Sequence, residues 1–163
     1  MSIRIISTFN DALYQASGRH MLASIRERMP DTQTLVYTES EIAGLHAPAV
    51  DLRELPEFAA VLESNRDIVP VDDGGGARQL AGFNRRWSGW FRKVIAQYDA
   101  MLRRPFDGYT VFLDSDTRIV RPFTADDIRR QLVRPVGVFQ GSRTAIEAGM
   151  IVYDGQARGA QVF

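Results

Sequence analysis

The sequence contains no cysteine, so disulfide bonds, thiolate metal sites and cysteine nucleophiles are excluded. Only two histidines occur, His20 and His46, and they are too few and too poorly spaced for a histidine-based zinc site. Basic and acidic residues number 20 each, which gives a formal net charge of zero. Because no excess of positive charge is present, we expect no nucleic-acid partner.

Apolar runs of membrane-spanning length are also missing, which predicts that the protein has no transmembrane segment. The N-terminal stretch MSIRIISTFN turns polar after six residues, unlike the apolar centre of a signal peptide, so we expect a cytoplasmic protein. What is present is 163 residues, of which 45% are hydrophobic and 25% charged, the mixture of an ordinary globular domain. We predict a single domain over residues 1–163.

The first forty residues alternate between strand and helix patterns. Residues 3–9 form an apolar run typical of a buried strand, the apolar residues of 12–29 recur with the helical period, and 32–40 are typical of a second strand. Strand, helix and strand at this spacing indicate a βαβ unit with parallel strands and a right-handed crossover. We therefore predict an α/β fold with a mostly parallel central sheet flanked by helices.

The remaining elements are predicted from similar patterns. Residues 41–56 look irregular, whereas 55–65 and about 84–102 are predicted helices. A further helix follows Thr124 as its N-cap, because acids occupy its first turn. Additional strands are predicted at 136–141 and 149–154. In the helix at 84–102 we expect the core-facing stripe to consist of Trp87, Phe91, Val94, Ile95, Tyr98, Met101 and Leu102.

Three consecutive glycines near the middle of the chain predict a flexible loop over about 70–82. The alternative is a glycine-rich nucleotide cradle. No Lys-Ser or Lys-Thr pair follows the glycines and no buried strand precedes them, so the phosphate-binding loop motif is not matched.

The stretch GYTVFLDSDTRIVRPF, residues 108–123, places two aspartates directly after a run that is typical of a buried strand. Residues i and i+2 of an extended chain point to the same side, so Asp114 and Asp116 converge if the chain stays extended. Adjacent carboxylates repel each other unless a cation lies between them, and Mg²⁺ or Mn²⁺ suits hard oxygen ligands. In the structural alternative, Asp114 caps a turn and Asp116 pairs with Arg118 or Arg121.

Two enzyme families place aspartates in this way. In the haloacid-dehalogenase phosphatases a strand is followed by D-x-D-x-T/V, but here the fifth position is Arg118 and the motif lies two-thirds along the chain. The chain more closely resembles the GT-A class of nucleotide-sugar glycosyltransferases, in which a hydrophobic strand ends in D-x-D. The resemblance extends, in the expected order, to three further segments: IRIISTFNDALYQASGRHMLASIRERMPDTQTLVYTE, WSGWFRKVIAQYDAML and VFQGSRTAIEAGMIVYD.

This resemblance implies a Rossmann-like nucleotide-binding fold and transfer of a sugar from a nucleotide-diphosphate donor. The acceptor is unknown and could be a carbohydrate, a lipid or a protein. Mn²⁺ or Mg²⁺ is the implied cofactor, with Asp116 as direct ligand and Asp114 contacting the ribose or metal-bound water. The remaining implied donor contacts come from Thr8, Phe9, Asn10, Lys93 and Ser115, and Glu147 is the candidate catalytic base or acceptor contact.

Other readings stay open for some of these residues. A plain strand-to-helix turn accounts for 8–10 equally well, and a solvated helix face accounts for Lys93. Members of the class commonly exceed 200 residues, so we expect a chain that is incomplete at its C-terminus. Two other functions are therefore retained: a non-catalytic remnant that binds a nucleotide or a partner protein, and a dehalogenase-type phosphatase with Asp114 as nucleophile.

Overall fold

The computed structural model of the protein describes residues 1–64, 91–138 and 149–157. Within these ranges a six-stranded sheet has the strand order β3-β2-β1-β4-β6-β5. The strands are β1 (Ser2–Thr8), β2 (Gln33–Thr38), β3 (Ala49–Asp51), β4 (Gly108–Leu113), β5 (Val136–Val138) and β6 (Met150–Asp154). The pairs β1–β2, β2–β3 and β1–β4 are parallel, whereas β6 is antiparallel to β4 and to β5. The predicted α/β architecture with a mostly parallel sheet is confirmed.

Helices connect and cover these strands. A helical segment starts as α1 (Asp11–Leu13), continues through a π-helical stretch (Tyr14–Gly18) and ends as α2 (Arg19–Arg28). The other helical elements are a 3₁₀ turn (Leu52–Glu54), α3 (Pro56–Ser64), α4 (residues 91–102) and α5 (Ala125–Gln131). Thr124 is the N-cap of α5 as predicted, and it forms a capping box with Asp127.

The alternation of side chains along β1 divides the core into two layers. Ile3 and Ile5 belong to one cluster, which includes Met21 and Ile25 of α2. Ile6 points to the opposite layer, which is formed largely by residues of β2, α3 and α4. Because both faces are covered, every residue of β4 is buried, in agreement with the strand predicted from its sequence.

The buried face of α4 agrees with the predicted stripe at Ile95 but differs from it at other positions, and Trp87 of that stripe lies outside the described residues. Phe91, Val94 and Leu102 are 40%, 51% and 40% exposed, respectively. The helix is instead turned so that Asp99 is only 1% exposed, because this carboxylate has buried partners on neighbouring elements. The residues of α4 that are buried are Ile95, Ala96, Gln97, Asp99 and Ala100.

The region predicted as irregular, 41–56, contains β3 and the 3₁₀ turn. Three residues are too few to show a strand period, and β3 forms because β2 offers a parallel partner. The flexible loop predicted over 70–82 lies outside the described residues. In the part of the chain that the structure describes, no helix combines the length and apolar character needed to cross a bilayer.

Candidate functional site

The carboxyl ends of β1 and β4 lie side by side at the centre of the sheet. The chain leaves β1 towards β2 on one side, whereas β4 lies on the other side of β1, so the strand order reverses between these two strands. Ligands of open α/β sheets bind in the crevice at such a point. The hydroxyl of Ser7 donates a buried hydrogen bond of 2.7 Å to the carbonyl oxygen of Leu113, which joins the two strand ends.

A cavity of about 220 Å³ opens above this junction. It is lined by seven residues that were predicted from the sequence to form a donor or metal site, together with two neighbours on the flanking helices. Its lining residues are Thr8, Phe9, Asn10, Leu13, Arg92, Lys93, Asp114, Ser115 and Asp116. The structure therefore brings together three segments that are far apart in the chain.

Asp114 is held by contacts on both its backbone and its side chain. Its Oδ1 lies 2.6 Å from Nζ of Lys93, and the two side chains are 24% and 26% exposed, respectively. Its amide donates a 2.9 Å hydrogen bond to the carbonyl oxygen of Gly149. The only lysine of the sequence thus faces the first aspartate of the motif, which distinguishes it from a fully solvated side chain on the helix surface.

The two aspartates were expected to converge only if the chain stayed extended after β4, and it does not stay extended. The amide of Thr117 donates a 3.0 Å hydrogen bond to the carbonyl oxygen of Asp114, which closes a turn over 114–117. Asp116 lies exposed within this turn but still borders the cavity. Among the ion pairs of the described ranges, none joins Asp116 to Arg118 or Arg121.

The three residues after β1 have different roles in the cavity wall. The Oδ1 of Asn10 accepts a 2.9 Å hydrogen bond from the amide of Leu13 and so caps α1. Phe9 is only 2% exposed, and its ring stacks on Tyr14 with a centroid distance of 5.6 Å. Its ring therefore packs within the core and is not placed to stack on a nucleotide base. The buried Oγ1 of Thr8 has no hydrogen-bond partner among the described residues.

A second ion pair lies beside the first and was missed by the sequence analysis. Arg92 pairs with Glu39, which directly follows β2, and its Nη2 donates a 3.0 Å hydrogen bond to Oε2 of that residue. Burial lowers the pKa of Arg92 from its ordinary value. Glu39 lies inside the strand predicted over 32–40, whereas β2 ends at Thr38, so the predicted boundary concealed its position at a strand end.

A larger cavity, of about 600 Å³, lies at the opposite edge of the sheet, between α2 and the start of β2. Its lining includes the exposed basic residues Arg19, Arg26 and His46, and none of its described lining residues is acidic. We place the candidate site at the smaller cavity, because that cavity has the carboxylates and lies at the carboxyl edge of the sheet.

The donor atoms in the smaller cavity suit a hard divalent cation that retains water or phosphate ligands. Asp114 and Asp116 offer carboxylate oxygens, and Thr8 offers a buried hydroxyl without a partner. Within the described ranges, no group of three or more acidic or histidine side chains is arranged to hold a metal. A cation held by these residues would therefore need further ligands from water or from a bound diphosphate.

Glu147, the predicted catalytic residue, lies outside the described residues. No protein-family model matches the chain, and no curated protein matches it. Function is therefore inferred from the geometry of the site and from the D-x-D motif.

Proposed function

We propose that this protein is a metal-dependent glycosyltransferase that uses a nucleotide-diphosphate sugar as donor. The observation that supports this proposal best is the meeting of Lys93, Asp114 and Asp116 in one cavity at the reversal point of the sheet. An ammonium group and two carboxylates at this position suit a complex of a divalent cation with a diphosphate, in which both signs of charge are required.

The proposed roles follow from the side chains. The carboxylates of Asp116 and Asp114 would hold Mn²⁺ or Mg²⁺, and the bound cation would stabilise the negative charge that develops on the departing diphosphate. Lys93 would contribute a second positive charge to the phosphates. The Thr8 hydroxyl and Ser115 would contact the donor, and Glu147 would contact or deprotonate the acceptor.

The size of the cavity limits what the described residues can bind. Pockets for whole small ligands usually enclose about 300–1,000 Å³, whereas this cavity encloses about 220 Å³. It has room for the diphosphate end of a donor but not for a complete nucleotide sugar. We therefore assign the diphosphate and its cation to this cavity and leave the base and sugar unassigned.

The test is a thermal-shift screen of the purified protein against UDP, GDP, UDP-glucose and GDP-mannose, each with Mn²⁺ or with EDTA. A ligand at about 100 times its Kd adds roughly 2.7 kcal/mol to the free energy of unfolding, which raises the melting temperature measurably. We expect a rise that requires Mn²⁺ and that depends on the base.

The variant Asp116→Asn should abolish this shift with little effect on the melting temperature of the free protein, because the side chain is exposed. Asp31→Asn is the matched control, since Asp31 is also an exposed aspartate but lies just before β2, at the opposite edge of the sheet. If Asp116→Asn binds the donor as tightly as the wild type does, the assignment of the metal site is wrong.

A second candidate function is nucleotide binding without sugar transfer. The absence of a three-ligand metal group among the described residues favours it, as does the existing partner of Asp114. A donor-hydrolysis and transfer assay separates the two functions: Mn²⁺-dependent binding with no turnover supports the second.

A further inference from the structure

We infer that Lys93 is an exchangeable counter-ion that makes the divalent cation and the nucleoside diphosphate bind cooperatively. Without ligands its ammonium group pairs with Asp114, and with both ligands bound it pairs with a phosphate and releases Asp114 to the cation. This inference depends on the proposed function, because it requires a site for a cation and a diphosphate.

The first observation is that one oxygen of Asp114 is already occupied. Its Oδ1 lies 2.6 Å from Nζ of Lys93, which is the distance of a direct charge-assisted hydrogen bond. A divalent cation that binds Asp114 in the absence of nucleotide must either displace this ammonium group or lie close to its positive charge. Binding of the cation alone is therefore opposed by Lys93.

The second observation is that the backbone of Lys93 is fixed whereas its side chain is accessible. The Nε2 of Gln97 donates a 2.9 Å hydrogen bond to the carbonyl oxygen of Lys93, and Ala96 in the next turn is fully buried. The side chain of Lys93 is 26% exposed and ends in a single flexible ammonium group. It can therefore change partners without movement of α4.

Its neighbour Arg92 provides a contrast within the same helix. Arg92 pairs with Glu39, its Nη2 donates a 3.0 Å hydrogen bond to Oε2 of that residue, and its rigid, planar guanidinium is partly desolvated by burial. A flexible ammonium group loses less free energy than a rigid, planar guanidinium when it exchanges one partner for another. Of these two cations, we therefore assign the exchange to Lys93.

The third observation concerns the second oxygen of Asp114. A Cβ atom at Gly149 would lie 3.7 Å from Oδ2, so the glycine leaves this side of the carboxylate without a neighbouring side chain at that position. The arriving diphosphate supplies the acceptor that the displaced ammonium needs. By linkage, each ligand must then increase the affinity of the other by the same factor.

The experiment compares the wild type with Lys93→Met, which removes the charge and keeps most of the side-chain length. Mn²⁺ binding is measured by electron paramagnetic resonance of the free ion, with and without saturating UDP or GDP, whichever gives the larger thermal shift. Binding of that nucleotide without metal is measured by calorimetry in EDTA.

We expect Lys93→Met to bind Mn²⁺ alone about fivefold more tightly, the change expected for loss of a partly exposed ion pair. The same variant should bind the nucleotide alone about fivefold more weakly, because a phosphate partner is lost. Mn²⁺ affinity at saturating nucleotide should change little. The coupling factor, which is the Mn²⁺ affinity with nucleotide divided by that without it, therefore falls about fivefold.

Two control variants accompany it. Lys93→Arg keeps the charge, so its affinity for Mn²⁺ in the absence of nucleotide should stay as low as that of the wild type. Arg129→Gln removes one exposed charge on α5, and it should change none of the three affinities if the effect of Lys93 is local rather than due to net charge. Circular dichroism verifies the fold of each variant, and Lys93→Gln replaces Lys93→Met if the latter is unfolded.

The outcomes separate this inference from the proposed function. If the wild type binds Mn²⁺ and nucleotide together but Lys93→Met changes neither the affinity for Mn²⁺ alone nor the coupling factor, the exchange is wrong and the proposed function stands. If Mn²⁺ and nucleotide fail to bind even together in the wild type, both proposals are wrong.

Discussion

At the scale of single residues, the two glycines that flank β6 are in different surroundings. A Cβ atom at Gly155 would lie well inside van der Waals contact with the carbonyl oxygens of Phe106 and Gly108. These are backbone atoms, so they cannot move aside as a flexible side chain would. At Gly149 the nearest atom to such a Cβ is Oδ2 of Asp114, at an ordinary contact distance of 3.7 Å.

We therefore predict that Gly155→Ala lowers the free energy of unfolding by about 1–3 kcal/mol, the usual cost of overpacking. Gly149→Ala is the matched control and should change it much less. Urea unfolding followed by circular dichroism measures both variants. Equal stabilities of the two variants would contradict the close backbone approach at Gly155.

At the scale of secondary-structure elements, α4 is held against the sheet by a buried carboxylate as well as by apolar packing. Asp99 is 1% exposed, accepts a 2.9 Å hydrogen bond from the Tyr37 hydroxyl and pairs with Arg104 at 2.7 Å. Arg4 of β1 extends the same network by donating to the carbonyl oxygen of Ala100 at 2.9 Å. Burial lowers the pKa of Arg4 and, with the bond to Asp99, raises that of Tyr37.

Removing this carboxylate leaves buried polar groups without their partner. We predict that Asp99→Ala lowers the free energy of unfolding by about 3–5 kcal/mol. Asp126→Ala, which breaks an exposed ion pair with Arg129, should lower it by about 1 kcal/mol or less. Chemical unfolding of both variants tests this prediction, and a mild effect of Asp99→Ala would show that apolar packing alone positions α4.

At the scale of the whole molecule, several ionisable groups make stability depend on pH in opposite directions. Hydrogen bonds from Arg53, Arg103 and Thr124 lower the carboxyl pKa values of Asp51, Glu57 and Asp127, respectively. Near pH 4 the unfolded chain therefore binds more protons at these sites than the folded protein. Their contribution to stability is present above that pH and is lost as the pH falls through the lowered values.

The buried tyrosines act at alkaline pH. Burial raises the pKa of Tyr153 to about 12 and also raises that of Tyr37. Above about pH 10 the unfolded chain releases these phenolic protons first, so stability is full below that pH and falls as the pH rises further. We predict a plateau of unfolding free energy between about pH 5 and 9, with a decrease on each side.

Urea unfolding at a series of pH values from 3 to about 11 measures this profile. Tyr153→Phe should weaken the alkaline decrease and leave the acid limb unchanged. Constant stability from pH 7 to pH 3 would contradict the lowered carboxyl pKa values.

The site was predictable to the extent that it depends on strand ends. Asp114 follows a strand that the sequence predicts, Thr8 lies at the end of another, and the carboxyl ends of neighbouring parallel strands meet at one edge of a sheet. A turn at Asp114 was one of two alternatives that the sequence left open, and the hydrogen bond from the amide of Thr117 to the carbonyl oxygen of Asp114 decides for the turn. Glu39 was missed because the predicted strand extended to residue 40, past the end of β2 at Thr38.

The sequence by itself determined the local elements of this protein: the buried run of β4, the helical period after Asn10 and the cap at Thr124. These depend on side-chain period and on backbone hydrogen bonds between close neighbours. Only the tertiary structure decided which face of α4 is buried, because the partners of Asp99 come from elements distant in the sequence. That rotation places Lys93 beside Asp114, and a contact between residues 93 and 114 depends on packing that no local pattern records.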